Sequence, residues 1–231
     1  MIHDPAVPLV ELRDTSKTFT NEAEVVWAVR DVSMRAHAGE FVCIHGPSGA
    51  GKSTLLNLIV GLDLADSGEI QVNACNVSQL DENSRATLRR QSVGVVFQDD
   101  ALIEEFTAEE NVALPLEARG DDTRTALVKA ADLLATVGLE GMGGRWPRQL
   151  SGGQRQRVGV ARALAGGRNI IVADEPTGSL DSKTSAELFE LIAELCRSGT
   201  LAIVCSHDPL CRTYASTVYE MVDGELRPSA S

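Results

Sequence analysis

The run Gly46-Pro47-Ser48-Gly49-Ala50-Gly51-Lys52-Ser53-Thr54 has the spacing GxxxxGK[ST]. Glycines there let a backbone wrap a polyphosphate with its N–H groups turned inward. A helix starting at the end of the run directs its positive end at the same phosphates. Lys52 has the reach for β- and γ-phosphates, and a charge pair at about 4 Å is worth about 4 kcal/mol at an effective dielectric near 20. Ser53 is placed to hold Mg²⁺. The bland alternative is a glycine turn that happens to precede a helix; the apolar strand before the run and the helical stretch after it weaken that alternative.

A second pair, Asp174-Glu175, ends the apolar run Ile170-Ile171-Val172-Ala173. Adjacent carboxylates at the end of a buried strand are costly unless paired, hydrogen-bonded or near a cation. Beside a phosphate loop, Asp174 would orient Mg²⁺ or its water, and Glu175 would act as general base on an attacking water. The plainer reading is a helix N-cap just before Pro176. In Leu150-Ser151-Gly152-Gly153-Gln154, Ser151 and Gln154 fit a capping box, which by itself is only a helix start. Two glycines in that first turn cost roughly 1 kcal/mol each against alanine. A functional reason for them is backbone access to a second phosphate surface.

Four single residues gain meaning in this company. Gln98 follows the strand-like Val93–Phe97 and could sense metal or the attacking water; alone it is a polar strand end. His207 follows Leu201–Cys205 and could contact a γ-phosphate; alone it is a satisfied histidine. Asp181 could be a plain N-cap for a helix beginning near Lys183. Phe19 could stack on an adenine ring, though an aromatic at a strand end is usually core. Cys205-Ser206-His207 suggests a metal pair, but nothing nearby completes a ligand set.

These groups need elements to hold them. Val10–Phe19 and Val25–Met34 are β-rich, only partly alternating, and joined through Thr20-Asn21-Glu22, so they read as an antiparallel pair. Glu40–His45 is a short apolar strand, Ser53–Val60 a helix, and Gly61 its stop. Ser67–Asn73 returns to strand chemistry, Glu82–Arg90 is a polar helix, and Val93–Phe97 a buried-type strand. From Thr107 to about Gly166 the pattern is helical, with Leu127, Ala130, Ala131, Leu134 and Val137 on one face and breaks at Pro115 and Pro147. Asn169–Ala173 and Thr200–Cys205 are buried strands flanking a helix whose face is Leu188, Leu191, Ile192 and Leu195. Asp223-Gly224 suits a type I′ hairpin between Thr217 and Leu226. Short apolar strands alternating with helices predict a mostly parallel sheet covered on both faces.

The chain has 231 residues, which bounds it to one or two domains. Its 43% hydrophobic and 23% charged content is globular. With 21 basic against 33 acidic residues the net charge is −12, which argues against a nucleic-acid partner. No apolar run approaches the roughly 20 residues of a membrane span. The start Met1-Ile2-His3-Asp4-Pro5 lacks the order of a secretory signal, so synthesis in the cytosol is expected, with a partner supplying any spans. Five cysteines without a CxxC pair read as reduced thiols, and no metal other than Mg²⁺ is expected.

In this order, the phosphate loop, Gln98, Leu150–Gln154, Asp174-Glu175, Ser179–Asp181 and His207 resemble the ATP-binding subunit of an ABC transporter, from about Leu9 to Leu226. The resemblance implies an α/β fold: a RecA-like P-loop ATPase core with an antiparallel β subdomain and an inserted helical subdomain. It implies one ATPase domain over 1–231, with 9–98 and 167–227 as the core and 99–166 as the helical part. It further implies a head-to-tail homodimer sandwiching two ATP. In it Ser151, Gly152, Gly153 and Gln154 contact the nucleotide held by the partner's phosphate loop, and Asp181 bridges the halves. Lys52, Gln98, Glu175 and His207 would be the catalytic set, with Ser53, Gln98 and Asp174 around Mg²⁺. The groove near Gln98 would receive a coupling helix of a membrane-spanning subunit, placing the chain on the cytoplasmic side of the membrane. The segments 174–181, 106–116 and Gly61-Leu62-Asp63 resemble the lipoprotein-release, macrolide-export and cell-division branch. An ATPase regulating wall hydrolysis without transport is the alternative within that branch. A DNA-repair or translation ATPase is disfavoured by charge and by the lack of long insertions. Three departures stand out: Phe19 where tyrosine is usual, Ser179 where asparagine is usual, and an acidic Gln98-Asp99-Asp100-Ala101.

Overall fold

Among the described residues the chain builds two sheets, and the core they share holds Ala50 of the phosphate loop. The computed structural model describes residues 7–20 and 25–229; Asn21, Glu22 and the first residues of the expected chain start lie outside them. β1 (Val10–Thr20) pairs antiparallel with β2 (Val25–Ala36) and, on its other side, with β4 (Ser67–Val72), which carries the short β5 (Cys75–Asn76). The imperfect alternation of the first pair has a local cause. The register shifts between Leu12 and Thr15, beside Asp14 (φ 46°), and Asp31 opposite is also left-handed (φ 48°). Such bulges reset which face a side chain takes.

The second sheet has the order β10-β9-β3-β8-β7-β6. β3 (Phe41–His45), β6 (Val93–Val96), β7 (Ile170–Asp174), β8 (Leu201–Ser206) and β9 (Thr217–Val222) are parallel, and β10 (Glu225–Pro228) closes one edge antiparallel to β9. Asp223 and Gly224 join β9 to β10 with φ of 49° and 80°, the positive values a type I′ turn requires. The inner strands are buried on both faces, and alternate residues feed two cores. Val42, Ile44, Val172 and Ile203 pack with the antiparallel sheet and helix α1 (Lys52–Ile59). Phe41, Cys43, Ile171 and Val204 pack with the helices of the other face.

Those helices are α3 (Ala108–Glu117), α4 (Thr123–Thr136), α5 (Gly152–Leu164), α6 (Ser182–Arg197) and α7 (Pro209–Tyr214), while α2 (Glu82–Ser92) leads into β6. Two expectations need correction. Pro115 does not break the helical region; it sits in the last turn of α3, where only two helical residues remain, and the chain turns after it. On α4, Ala131 is exposed; the buried stripe runs Ala126, Ala130 and Leu134 to Val137. Pro147 does start a separate turn, a 3-10 helix over Pro147–Gln149. Gly61 (φ 67°) ends α1 as expected. The sequence reading missed α7, although Asp208 capping Leu210 N ahead of Pro209 is a start signal.

Candidate active site

Parallel pairing sets the ends of adjacent strands level. His45 lies opposite Ser206, and Asp174 opposite Cys205. The loop after β3, the carboxylates ending β7 and the histidine after β8 therefore meet at the carboxyl edge of the sheet, where open α/β sheets bind ligands. A cleft of about 450 Å³ opens there.

The phosphate-loop glycines are forced by packing. A Cβ on Gly46 would lie 2.1 Å from Met221 O, and one on Gly51 (φ 103°) 1.9 Å from Ala28 O. Gly51 also caps α1 without a side-chain acceptor, so the first-turn N–H groups of Lys52, Ser53 and Thr54 are left for an anion. Ser48, Gly49, Gly51, Lys52, Ser53 and Thr54 line the cleft. Gly46 and Pro47 instead offer carbonyls to Lys52 Nζ at 2.7 and 3.0 Å, and Ala50 is buried in the core beneath. The Lys52 ammonium is thus held in place at 6% exposure.

Glu175 is the hub of the far wall. Its backbone is left-handed (φ 46°), a strained setting for a non-glycine residue. Its N–H donates to Cys205 O at 2.9 Å, which fixes the peptide to β8. One carboxylate oxygen lies 3.4 Å from Lys52 Nζ; the other lies 2.8 Å from His207 Nδ1 and accepts from the His207 backbone N–H at 3.2 Å. Among the described residues, nothing hydrogen-bonds the buried Oδ1 of Asp174. The helix-cap reading of this pair fails, because the next helix starts at Ser182 and is capped by Asp181. Gln98 joins the same cleft, close to Gly178, whose added Cβ would meet Gln98 Nε2 at 2.9 Å.

Phe19 stands in the cleft wall at 47% exposure, with Lys17 Nζ 5.5 Å from its ring, so it is not core. Val26 and Ala28 of β2 line the cleft beside it. Sequence reading missed both. Their i, i+2 spacing on one strand face was the signal available. Cys205 and His207 do not form a ligand pair. The buried thiol of Cys205, pushed up in pKa by desolvation and by Asp174, donates to Lys52 O at 3.8 Å, while His207 is engaged with Glu175.

The serine-glycine segment lies outside this cleft. Ser151 caps α5 reciprocally with Gln154, accepting from Gln154 N at 3.3 Å while Ser151 N donates to Gln154 Oε1 at 2.9 Å. Gly152 and Gly153 pack on Leu180 and Thr184: a Cβ would come within 3.2 and 2.3 Å of their side chains. Asp181 accepts from the N–H groups of Lys183 and Thr184, both at 3.0 Å.

A glycine cradle between strand and helix, with its lysine facing a carboxylate that follows β7, two strands across the sheet, defines a P-loop nucleotide hydrolase of RecA-like α/β fold. Residues 29–178 match the ABC transporter family, and the chain belongs to it; it is an ABC-type ATPase cassette. Over 220 residues it is 44% identical to the pyoverdine export ATP-binding/permease protein PvdT of Pseudomonas fluorescens, covering 95% of this chain and 34% of that protein. Over 219 residues it is 42% identical to the macrolide export ATP-binding/permease protein MacB of Escherichia coli, with the same coverages of 95% and 34%. The chain thus spans about a third of the length of these relatives. Its fold matches a dimeric structure of the ATP-binding cassette MJ0796 in a post-hydrolysis state bound to ADP and Pi. That match has a TM-score of 0.86 and 38% identity, over 95% of this chain and 97% of that one. Among the described residues no helix is long and apolar enough to cross a membrane.

Proposed function

We propose that two copies of this chain close head to tail on two ATP molecules, and that hydrolysis reopens them to drive an export-type membrane partner. The observation that carries this reading is the bridge from Lys52 through Glu175 to His207 at the mouth of a glycine cradle. Lys52 would exchange the carbonyls of Gly46 and Pro47 for β- and γ-phosphate oxygens. The free N–H groups of α1 receive the same anion, and Phe19 with Val26 and Ala28 covers the base. The unpartnered buried oxygen of Asp174, with the Ser53 hydroxyl and Gln98 in the same cleft, forms a hard-oxygen donor set that suits Mg²⁺. When bound, the ion would neutralise charge on the phosphates. Glu175 takes the proton of the attacking water as the bond between the γ-phosphorus and the ADP oxygen breaks, and His207 holds its carboxylate by the Nδ1 contact.

In this reading residues 99–166 act as the helical subdomain that presents Ser151, Gly152, Gly153 and Gln154 to the partner's nucleotide, with Asp181 bridging the halves. Residues 9–98 and 167–227 form the nucleotide-holding core. The printed names of PvdT and MacB join an ATP-binding part to a permease, and this supports a membrane-spanning partner and a peripheral position at the cytoplasmic face. The two-copy site is tested by mixing. Ser151→Arg and Lys52→Ala chains are each inactive, and their mixture regains turnover because one composite site per dimer is intact. A mixture as inactive as its components, or full turnover by monomers at high dilution, refutes the sandwich.

A further inference from the structure

Gln98 and the Ser151 helix tip belong, on the proposed two-copy reading, to different nucleotide sites, yet one chain ties them together. Past Gln98 the backbone enters two consecutive left-handed residues, Asp100 (φ 51°) and Ala101 (φ 48°). Non-glycine residues stay there only when their surroundings hold them. Helix α5 supplies the hold. Arg155 Nε donates to Asp100 Oδ2 at 2.9 Å, and Arg155 Nη1 donates to Leu150 O, one residue before Ser151, at 3.1 Å. Gln156, 1% exposed, donates its Nε2 to the carbonyls of Gln98 and Phe97 at 2.6 and 3.2 Å. Two carbonyl partners fix which end of that amide faces the loop. Arg162 donates to the carbonyls of Asp100 and Ala101 at 2.8 and 2.7 Å. The bonds from Gln156 and Arg162 reach backbone and would hold many loop sequences. The Asp100–Arg155 pair is made by side chains at both ends, and Asp100, with 17% side-chain exposure, faces α5 rather than an outside partner.

We propose that Asp100 and Arg155 form an ionic strut that couples the orientation of Gln98 in one nucleotide site to the position of the Ser151 helix tip serving the other. Both are positioning residues; neither lines the cleft. The acidic loop thereby acquires a task inside the chain. The strut rests on the two-copy reading, so the test must separate the two. In the full-length chain, Asp100→Asn and Arg155→Gln are each expected to lower kcat roughly tenfold with KM for ATP changed less than about twofold, within the range measured for contacting charged pairs. The double variant should be no slower than either single one. Asp100→Glu, which keeps the charge, should recover most of the rate. Melting temperature should move by less than about 3 °C, because the backbone bonds remain. Losses that multiply in the double variant, or that follow a fall in melting temperature and resist Asp100→Glu, overturn the strut. Dimerisation of Glu175→Gln with ATP, followed by sedimentation, is the second readout, and Asp100→Asn in that background should weaken it. If Glu175→Gln fails to pair at all, the two-copy reading falls and the strut with it. If it pairs equally well with and without Asp100→Asn while kcat is unchanged, the strut alone falls.

Discussion

Glu175→Gln separates binding from turnover, and the geometry sets both magnitudes. The carboxylate serves three groups at once: Lys52 Nζ at 3.4 Å, His207 Nδ1 at 2.8 Å and the His207 N–H at 3.2 Å. An amide of the same shape cannot serve all three. With its oxygen toward Lys52 and its nitrogen toward Nδ1, the His207 N–H loses its acceptor. More important, the amide cannot take a proton from water. Loss of a positioned general base costs 10²- to 10⁴-fold, or about 2.7–5.4 kcal/mol on the barrier. Binding should move the other way. At 3.4 Å the pair attracts by about 5 kcal/mol at an effective dielectric near 20, before desolvation is counted, and this attraction competes with phosphate for the ammonium. Neutralising Glu175 frees Lys52, so ATP affinity holds or rises. The assay is phosphate release at saturating ATP beside equilibrium ATP binding. A variant keeping more than about a tenth of parental kcat refutes the assigned base. A variant that loses ATP binding shows that Glu175 acts by supporting Lys52 instead.

Three further outcomes are expected. Gly51→Ala should abolish ATP binding, since its Cβ would sit 1.9 Å from Ala28 O at φ 103°; normal binding by the folded variant would refute the close-approach argument. Asn111 is fully buried, accepts from Ile103 N at 2.8 Å and donates to the carbonyls of Ile103, Phe106 and Thr107. Asn111→Ala should therefore lower stability by about 3 kcal/mol in urea unfolding, and a loss under 1 kcal/mol would contradict it. Cys75 is exposed and the other four cysteines are buried; burial raises the Cys196 thiol to about 12 and pushes Cys205 up as well. Burial shields the four buried thiols from reagent, and Cys196 and Cys205 also hold less thiolate at pH 8, so mass spectrometry should find one alkylated cysteine per native chain, and two or more would count against the packing.

What was legible in the sequence was whatever depends on local order. GxxxxGK[ST], the apolar runs and Asp223-Gly224 each carry their geometry within a few residues, and each appears where expected. The meeting of Asp174-Glu175 with His207 depends on β7 and β8 being neighbours, which the run lengths suggest but only pairing fixes. Ala131 was misplaced because Ala126 and Ala131 both suit a helical stripe, and only contact with α5 and α3 selects between them. Val26 and Ala28 were missed because the bulged register of β1 and β2 obscures which face meets the cleft. The acidic Gln98–Ala101 segment looked like a surface for an outside partner, and its engagement by Arg155, some 50 residues away in the chain, could not be inferred from spacing.

The glycines after Ser151 can be assigned either to nucleotide approach or to packing, and one substitution pair decides. A Cβ on Gly153 would lie 2.3 Å from Thr184 Cγ2, in the first turn of α6. Thr184 also donates its Oγ1 to Asp181 at 2.6 Å, so a push on Thr184 is felt at Asp181 and along the segment that begins with Glu175. Overpacking of this kind costs about 1–3 kcal/mol when the neighbour cannot move away. Gly153→Ala is therefore expected to slow turnover on either assignment, and on the packing assignment it does so by displacing Thr184. Thr184→Ser removes the offending methyl and keeps the hydroxyl that bonds Asp181. If packing is the constraint, Gly153→Ala with Thr184→Ser recovers the parental kcat while Thr184→Ser alone is neutral. If the double variant stays as slow as Gly153→Ala, the missing Cβ serves the partner's nucleotide, and the contact with Thr184 is only where the helix tip rests.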